Sequence, residues 1–300
     1  MPAYAIMWLG LGAALSRAGL NVIDRYQAGH LRLPLAALTL QNNLLPALLS
    51  VAACCAWPAS RVLLLAWLPD WRVMGFAGLV QLNAYAFTFA FRTLNVNQAT
   101  VAAKCADFII PFGVWLTTGV WNTGAYLFGA LTALACLPLL GAAAGVGRRS
   151  DRWRAGLIML LSLLLQASVA PRLLGPVRPA ADVAACLAFA TAVILWRTAC
   201  TCLPVLPALR RGRGAGPFAS GAMRAGRLAV LRAVLTLLTQ ASFALAVSSP
   251  LAVFAWPFLN MAGVFAMLLA GLCLKERHAA RERCVMLAIL VLTLVRWTTA

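Results

Sequence analysis

Apolar runs of twenty residues or more recur from one end of this 300-residue chain to the other. About 20 such residues are needed to cross a bilayer's hydrocarbon as a helix. There every backbone donor and acceptor must be bonded within the protein, which leaves helices or closed barrels. Barrel strands alternate apolar and polar positions over about ten residues; these runs are continuously apolar. The sequence therefore predicts an all-α integral membrane protein. Composition agrees: 63% of residues are hydrophobic and 11% charged, against about 45–50% and 25% in soluble domains.

Ten spans are expected, at 3–24, 34–57, 72–93, 97–120, 123–144, 154–171, 181–206, 227–247, 250–273 and 281–299. The first begins without a basic stretch and reads as a retained span, not a cleaved leader. The piece Val62–Leu68 is too short to cross and, with Trp67 and Trp71 beside it, reads as interfacial. The basic link Arg148–Arg154 divides the chain into five spans in residues 1–147 and five in 153–300. An odd number of spans per half turns the second over relative to the first, so two inverted five-helix repeats are expected, with a solute site at the midplane between them.

The net charge is +18. In a soluble chain that would point to nucleic acid. Here the cations sit in short loops, and no nucleic-acid-binding motif accompanies them, so nucleic acid is excluded as a partner. The loops after odd-numbered spans hold most of the arginines, including Arg25, Arg92, Arg148, Arg210, Arg224 and Arg281. The positive-inside rule places those loops in the cytoplasm and both termini outside. The stretch Arg210–Arg227, rich in glycine, reads as a loop. Nine cysteines fall mostly inside apolar runs and read as small packing residues. Cys200-Thr201-Cys202 has no second ligand pair, and His30 and His278 are distant in sequence, so neither a metal nor another cofactor is expected.

Charges within a span are costly and usually face a bundle interior. Lys104 and Asp107 in span 4, three residues apart, share a helix face. Arg197 lies inside span 7. Asn21 and Asp24 end span 1; Gln41, Asn42 and Asn43 cluster in span 2; Gln81, Asn83 and Tyr85 run through span 3. Gln240 lies in span 8 and Asn260 in span 9, near Trp256 and Phe258. Each has two readings: a hydrogen bond between helices, or the wall of a central cavity. Three adjacent amides in span 2 cannot all face one neighbour, which favours the cavity there. The candidate solute-binding set is Asp24, Asn42, Asn43, Gln81, Asn83, Tyr85, Lys104, Asp107, Arg197, Gln240, Trp256 and Asn260. Glu276 and Glu282, among Lys275, Arg277, Arg281 and Arg283, read as a solvated loop cluster. No nucleophile–base arrangement or phosphate-binding glycine loop appears, so no enzyme activity is expected.

Three stretches carry a family resemblance: Ser16-Arg17-Ala18-Gly19-Leu20-Asn21-Val22-Ile23-Asp24-Arg25-Tyr26, then Ala90-Phe91-Arg92-Thr93-Leu94 with Asn97-Gln98-Ala99-Thr100-Val101-Ala102, and Leu272-Cys273-Leu274-Lys275-Glu276-Arg277. Together they resemble the drug/metabolite transporter superfamily in its ten-helix EamA-like form. Lys275 stands where that family usually has glycine, and members are commonly drawn with cytoplasmic termini. The resemblance implies a secondary transporter, an exporter of a small metabolite across the cytoplasmic membrane. Its partners would be a small-molecule solute, the lipid bilayer and, in one arrangement, a second copy as a homodimer. A translocase for a lipid-linked intermediate and a non-transporting membrane scaffold are the alternatives.

Overall fold

The computed structural model describes residues 3–31, 35–119, 121, 123–140, 149–174, 182–210, 222–248, 259, 261–276 and 279–299. All regular structure among them is helical. In chain order the helices are α1 (Ala3–Arg25), a five-residue π segment (Tyr26–His30), α2 (Leu35–Ala56), α3 (Pro58–Trp67), α4 (Trp71–Ala90), α5 (Val96–Thr118), α6 (Thr123–Leu140), α7 (Arg149–Leu174), α8 (Val183–Arg210), α9 (Ala222–Ser248), α10 (Ala262–Cys273) and α11 (Ala280–Thr299).

Among the described residues, four helices are long and apolar enough to cross a membrane, over Leu38–Ala56, Trp71–Ala90, Ser150–Ala170 and Val183–Leu203. Apolar side chains also cover outward faces. Leu157, Leu161 and Leu165 on α7 are each about half exposed at helical spacing, a surface that water would disfavour and lipid would solvate. The chain is thus a helical protein built for membrane association.

Local signals explain the helix limits. Asp70, in extended conformation, accepts the Arg72 backbone N–H at 2.8 Å and starts α4. At α5 the Gln98 N–H donates to Asn95 Oδ1 at 2.8 Å while the Asn95 N–H donates to Gln98 Oε1 at 3.2 Å, a reciprocal cap. Gly119 ends α5 with φ of 73°, a conformation that favours glycine. The short α3 opens on Pro58, where a missing N–H costs nothing. It leans on α8, with Ser60 Oγ donating to the Ala184 carbonyl at 3.1 Å and Trp196 Nε1 donating to the Leu68 carbonyl at 2.8 Å. Val62 and Leu65 lie exposed on its other side.

Both basic links are shorter than the sequence predicts. Helix α7 begins at Arg149, so Arg149, Arg152 and Arg154 are helical. Helix α9 begins at Ala222, so Arg224 and Arg227 belong to it. Arginine and alanine are good helix formers, and they carry these stretches into the adjacent helix, at α9 in spite of Gly226. Residues 141–148 and 211–221, and the span-9 residues Trp256, Pro257, Phe258 and Asn260, lie outside the described residues.

Helix α1 packs on α9 and α10, α2 on α8 and α9, α4 on α7 and α8, and α5 on α6, α7 and α10. Helix α6 packs on α5 and α11. Small residues allow the approach: Ala13, Ala14 and Ala18 of α1 are fully buried, as are Ala188 and Ala192 of α8. At Gly19 an added Cβ would stand 2.9 Å from the Leu235 side chain of α9. Cys54, Val73, Phe76, Phe189 and Val193 form one core where α2, α4 and α8 meet.

Candidate functional site

The polar residues sort into four groups, and the largest lies where α1, α2, α4, α8 and α9 converge. Asp24, near the C-terminal end of α1, accepts two hydrogen bonds from Arg232 of α9: Nε to Oδ1 at 2.7 Å and Nη2 to Oδ2 at 3.1 Å. Arg232 Nη1 donates to the Asn42 carbonyl at 2.9 Å. The Asn42 amide donates to Asp24 Oδ1 at 3.4 Å and to Gln27 Oε1 at 3.3 Å. The π segment brings Gln27 inward, fully buried. One residue on in α2, Asn43 Nδ2 donates to Gln81 Oε1 of α4 at 2.8 Å. Arg197 Nε of α8 donates to the same Gln81 oxygen at 3.3 Å. Tyr85, one turn beyond Gln81, stands beside Gln81 and Thr39. Asn42 and Asn43 thus do face different neighbours, as adjacent helical positions must. Gln41 and Gln240 are partly buried and stand outside this network.

The electrostatics are lopsided. Arg197 is 6% exposed and feels Arg232, Asp24 and Arg17. Arg17 lies seven residues before Asp24, on the same face of α1, and feels that carboxylate. Arg232 is paired with Asp24, and Arg17 and Arg197 lie within electrostatic reach of the same carboxylate.

The second group is self-contained. Asn83 Nδ2 donates to Gln166 Oε1 of α7 at 2.5 Å, and Ser162 Oγ donates to Asn83 Oδ1 at 2.9 Å. Asn83 sits two residues from both Gln81 and Tyr85, about 200° around the helix, so it faces α7 while they face α2 and α8. Sequence reasoning grouped the three; the helical period separates them.

The third group is Lys104 and Asp107. Nζ lies 3.0 Å from Asp107 Oδ2 along α5. Neither residue is among the charges that act on Arg197 or Arg17. Helix α5 runs unbroken through Pro111, which has no N–H to offer the Asp107 carbonyl one turn earlier.

The fourth group corrects an expectation. Glu276 is not one of a solvated loop cluster: its Oε1 lies 3.0 Å from Arg25 Nε, and both side chains are largely buried. Arg25 Nη1 also donates to the Phe91 carbonyl at 2.7 Å. The cause is the turn after α10. Lys275 adopts φ of 54°, the left-handed region, and reverses the chain so that Glu276 points back at α1. That position is the one where the resembled family usually has glycine. Gly29 leaves room for the pair, since a Cβ there would collide with the Arg25 guanidinium and stand 2.9 Å from the Phe91 carbonyl oxygen.

Two contributors were missed in the sequence, Arg17 and Arg232. Both carry charge inside expected spans. The available signal for Arg232 was its place in span 8, weakened by a boundary set at 227, and for Arg17 its seven-residue spacing to Asp24. Among the described residues no three His, Cys, Asp or Glu side chains converge as a metal site would require.

Comparison with known proteins is informative about shape alone. No protein-family model matches the sequence, and no curated protein matches it. A solved structure described only as "Crystal structure of protein" superposes with a TM-score of 0.65 at 15% identity, covering 99% of this chain and 98% of that one. At that identity the likeness is one of fold, and it extends over nearly all of both chains.

Proposed function

We propose that this chain is a multi-pass secondary transporter of a small solute in the cytoplasmic membrane, built as two inverted five-helix halves. The observation that carries the reading is the charged, hydrogen-bonded network centred on Asp24, which lies between the halves and not within one. Burying that many charges and amides among membrane helices is costly, and such groups mark solute pathways more often than packing contacts.

The helix pairings support the two-half plan. Set α1, α2, α4, α5 and α6 against α7, α8, α9, α10 and α11, with α3 as an extra surface helix. Exchanging the halves turns α1 on α9 into α7 on α4, α1 on α10 into α7 on α5, and α2 on α9 into α8 on α4. All of these pairings occur. The pairs α2 with α8, α5 with α10 and α6 with α11 map onto themselves and also occur. Apart from α5 with α6, whose counterpart α10 with α11 is not among the closely packed pairs of the described residues, that is the pattern expected of a pseudo-twofold axis in the membrane plane. The resemblance to EamA-like drug/metabolite transporters points the same way.

A scaffold would have its interior polar groups satisfied among themselves. The Asn83–Gln166–Ser162 group fits that description. The Asp24 group does not, because the Gln27 and Gln81 side-chain amino groups are buried without acceptors. Reconstitution tests the proposal. Proteoliposomes loaded with a mixed metabolite pool should lose a subset of solutes faster than empty liposomes or liposomes carrying Asp24→Asn. Equal loss from all three would overturn it.

A further inference from the structure

We infer that the solute taken at this site carries an oxyanion, a carboxylate or a phosphate group, held by Arg17 and Arg197 beside the Asp24–Arg232 pair. The inference rests on the transporter reading and names the substrate class.

Charge bookkeeping across the whole chain carries it. There are seven carboxylate side chains. Glu276 is paired with Arg25 and Asp107 with Lys104. Asp70 and Asp182 accept backbone N–H groups at the starts of α4 and α8. Glu282 accepts the Ala279 N–H, and Asp151 lies in the first turn of α7. Asp24 alone acts on the central arginines, and Arg232 already takes both its oxygens. The three arginines and one aspartate leave two positive charges unneutralised.

Those two charges are Arg17 and Arg197. Arg197 is more than nine-tenths buried, and its one hydrogen bond runs from Nε to Gln81. Its two Nη groups have no acceptor among the described residues. Arg17 makes no ion pair among the described residues. It lies on the inward face of α1 with Ala13 and Ala14, which are 1% exposed, yet Arg17 itself is exposed. Arg17 therefore lies on the Asp24 face of the helix, away from the outward face of Tyr4, Trp8 and Leu15.

Two of the neutral groups also ask for acceptors, while Asn42 Oδ1 in the same network lacks a donor. A guanidinium can only donate, so the Gln81 atom facing Arg197 is the oxygen, and the buried group left over is its amino group. A carboxylate can only accept, so Asn42 offers Asp24 its amino group, and the Gln27 atom facing that same amino group is again the oxygen. The Gln27 amino group is likewise left over. Water could satisfy such donors but not the charge. A planar or tetrahedral oxyanion does both, and guanidinium groups bind it in fork geometry.

The test uses the purified full-length protein. Its Tm would be followed while inorganic phosphate or succinate replaces chloride at matched ionic strength, and in a parallel arm while phosphatidylglycerol is added to the micelles. The expected result is a rise of roughly 3 °C at tenfold excess over Kd with phosphate or succinate. Arg197→Met should lose that rise while its ligand-free Tm holds or increases, because an uncompensated buried cation has gone. Arg197→Lys should keep part of it, and Arg17→Gln should weaken it. A full rise in Arg197→Met overturns the proposal, as does a rise with phosphatidylglycerol alone, which would put the anion on a lipid. Read beside proteoliposome efflux, the failures separate. Oxyanion binding without efflux of any solute removes the transporter reading and leaves the anion site. Efflux restricted to neutral or cationic solutes, with no oxyanion-dependent rise, does the reverse. Neither binding nor efflux removes both.

Discussion

Asp24 and Arg232, 208 residues apart, share two hydrogen bonds of 2.7 and 3.1 Å, with both side chains largely removed from solvent. The pair joins α1 to α9 at the centre of the network. Removing one partner strands a buried charge, which costs about 3–5 kcal/mol. Arg232→Gln should lower stability by about that amount in a denaturation series. Asp24→Leu with Arg232→Met should recover much of it, since neither member of the pair is then left without the other and the charges on Arg17 and Arg197 are unchanged.

Lys104 and Asp107 answer to the same arithmetic but with a different functional outcome. Their 3.0 Å contact is made within one helix, away from the Asp24 network. Lys104→Met alone should destabilise the protein by about 2 kcal/mol, and adding Asp107→Leu should restore it. Solute efflux by the double variant should match the parent. A well-folded double variant without efflux would assign this pair to the solute path.

Lys275 holds φ of 54°. A side chain in the left-handed region costs about 1–2 kcal/mol, a cost glycine lacks. Part of the gain is offset by the greater freedom of glycine in the unfolded chain. Lys275→Gly should raise stability by about 0.5–1 kcal/mol in a melting series and leave the Arg25–Glu276 contact in place.

Gly29 predicts the opposite sign. Alanine there meets the Arg25 guanidinium and the Phe91 carbonyl. Overpacking of this kind costs about 1–3 kcal/mol. Gly29→Ala should therefore be destabilising, and combining it with Arg25→Met should cost less than the sum of the two single changes.

Sidedness is readable from native thiols. Cys55 ends α2, while Cys273 and Cys284 flank the Lys275 turn, and all three are exposed. The charge bias puts the Lys275 side in the cytoplasm. An impermeant maleimide applied to intact cells should label Cys55 and spare Cys273 and Cys284; the reverse pattern would favour the orientation common in the resembled family.

The helical character of the chain was legible because continuous apolar runs have few physical solutions. The amides of α2 were legible too, since adjacent helical positions diverge by about 100° and so must serve different neighbours. The grouping of Asn83 with Gln81 and Tyr85 failed on that same geometry. The Arg25–Glu276 pair was hidden for another reason. Glu276 stands among four cations in sequence, and only the left-handed turn at Lys275, a tertiary outcome, selects Arg25 of α1 over its neighbours. Arg232 was hidden by a boundary: a span read from 227 left it near an end, whereas α9 begins at Ala222 and carries it inward.

Asp24 and Arg25 are consecutive, opposite in sign, and gripped by Arg232 and Glu276 respectively. Advance α1 by one residue and Arg25 arrives opposite Arg232, cation against cation, while Glu276 meets Tyr26. Retreat by one and Asp24 arrives opposite Glu276, anion against anion, while Arg232 meets Ile23. Either slip creates one repulsion and leaves the other two charges orphaned in a medium that screens them poorly. The two residues therefore act as an alignment key, admitting α1 to the bundle at a single axial setting where a smooth, alanine-lined rod would otherwise slide.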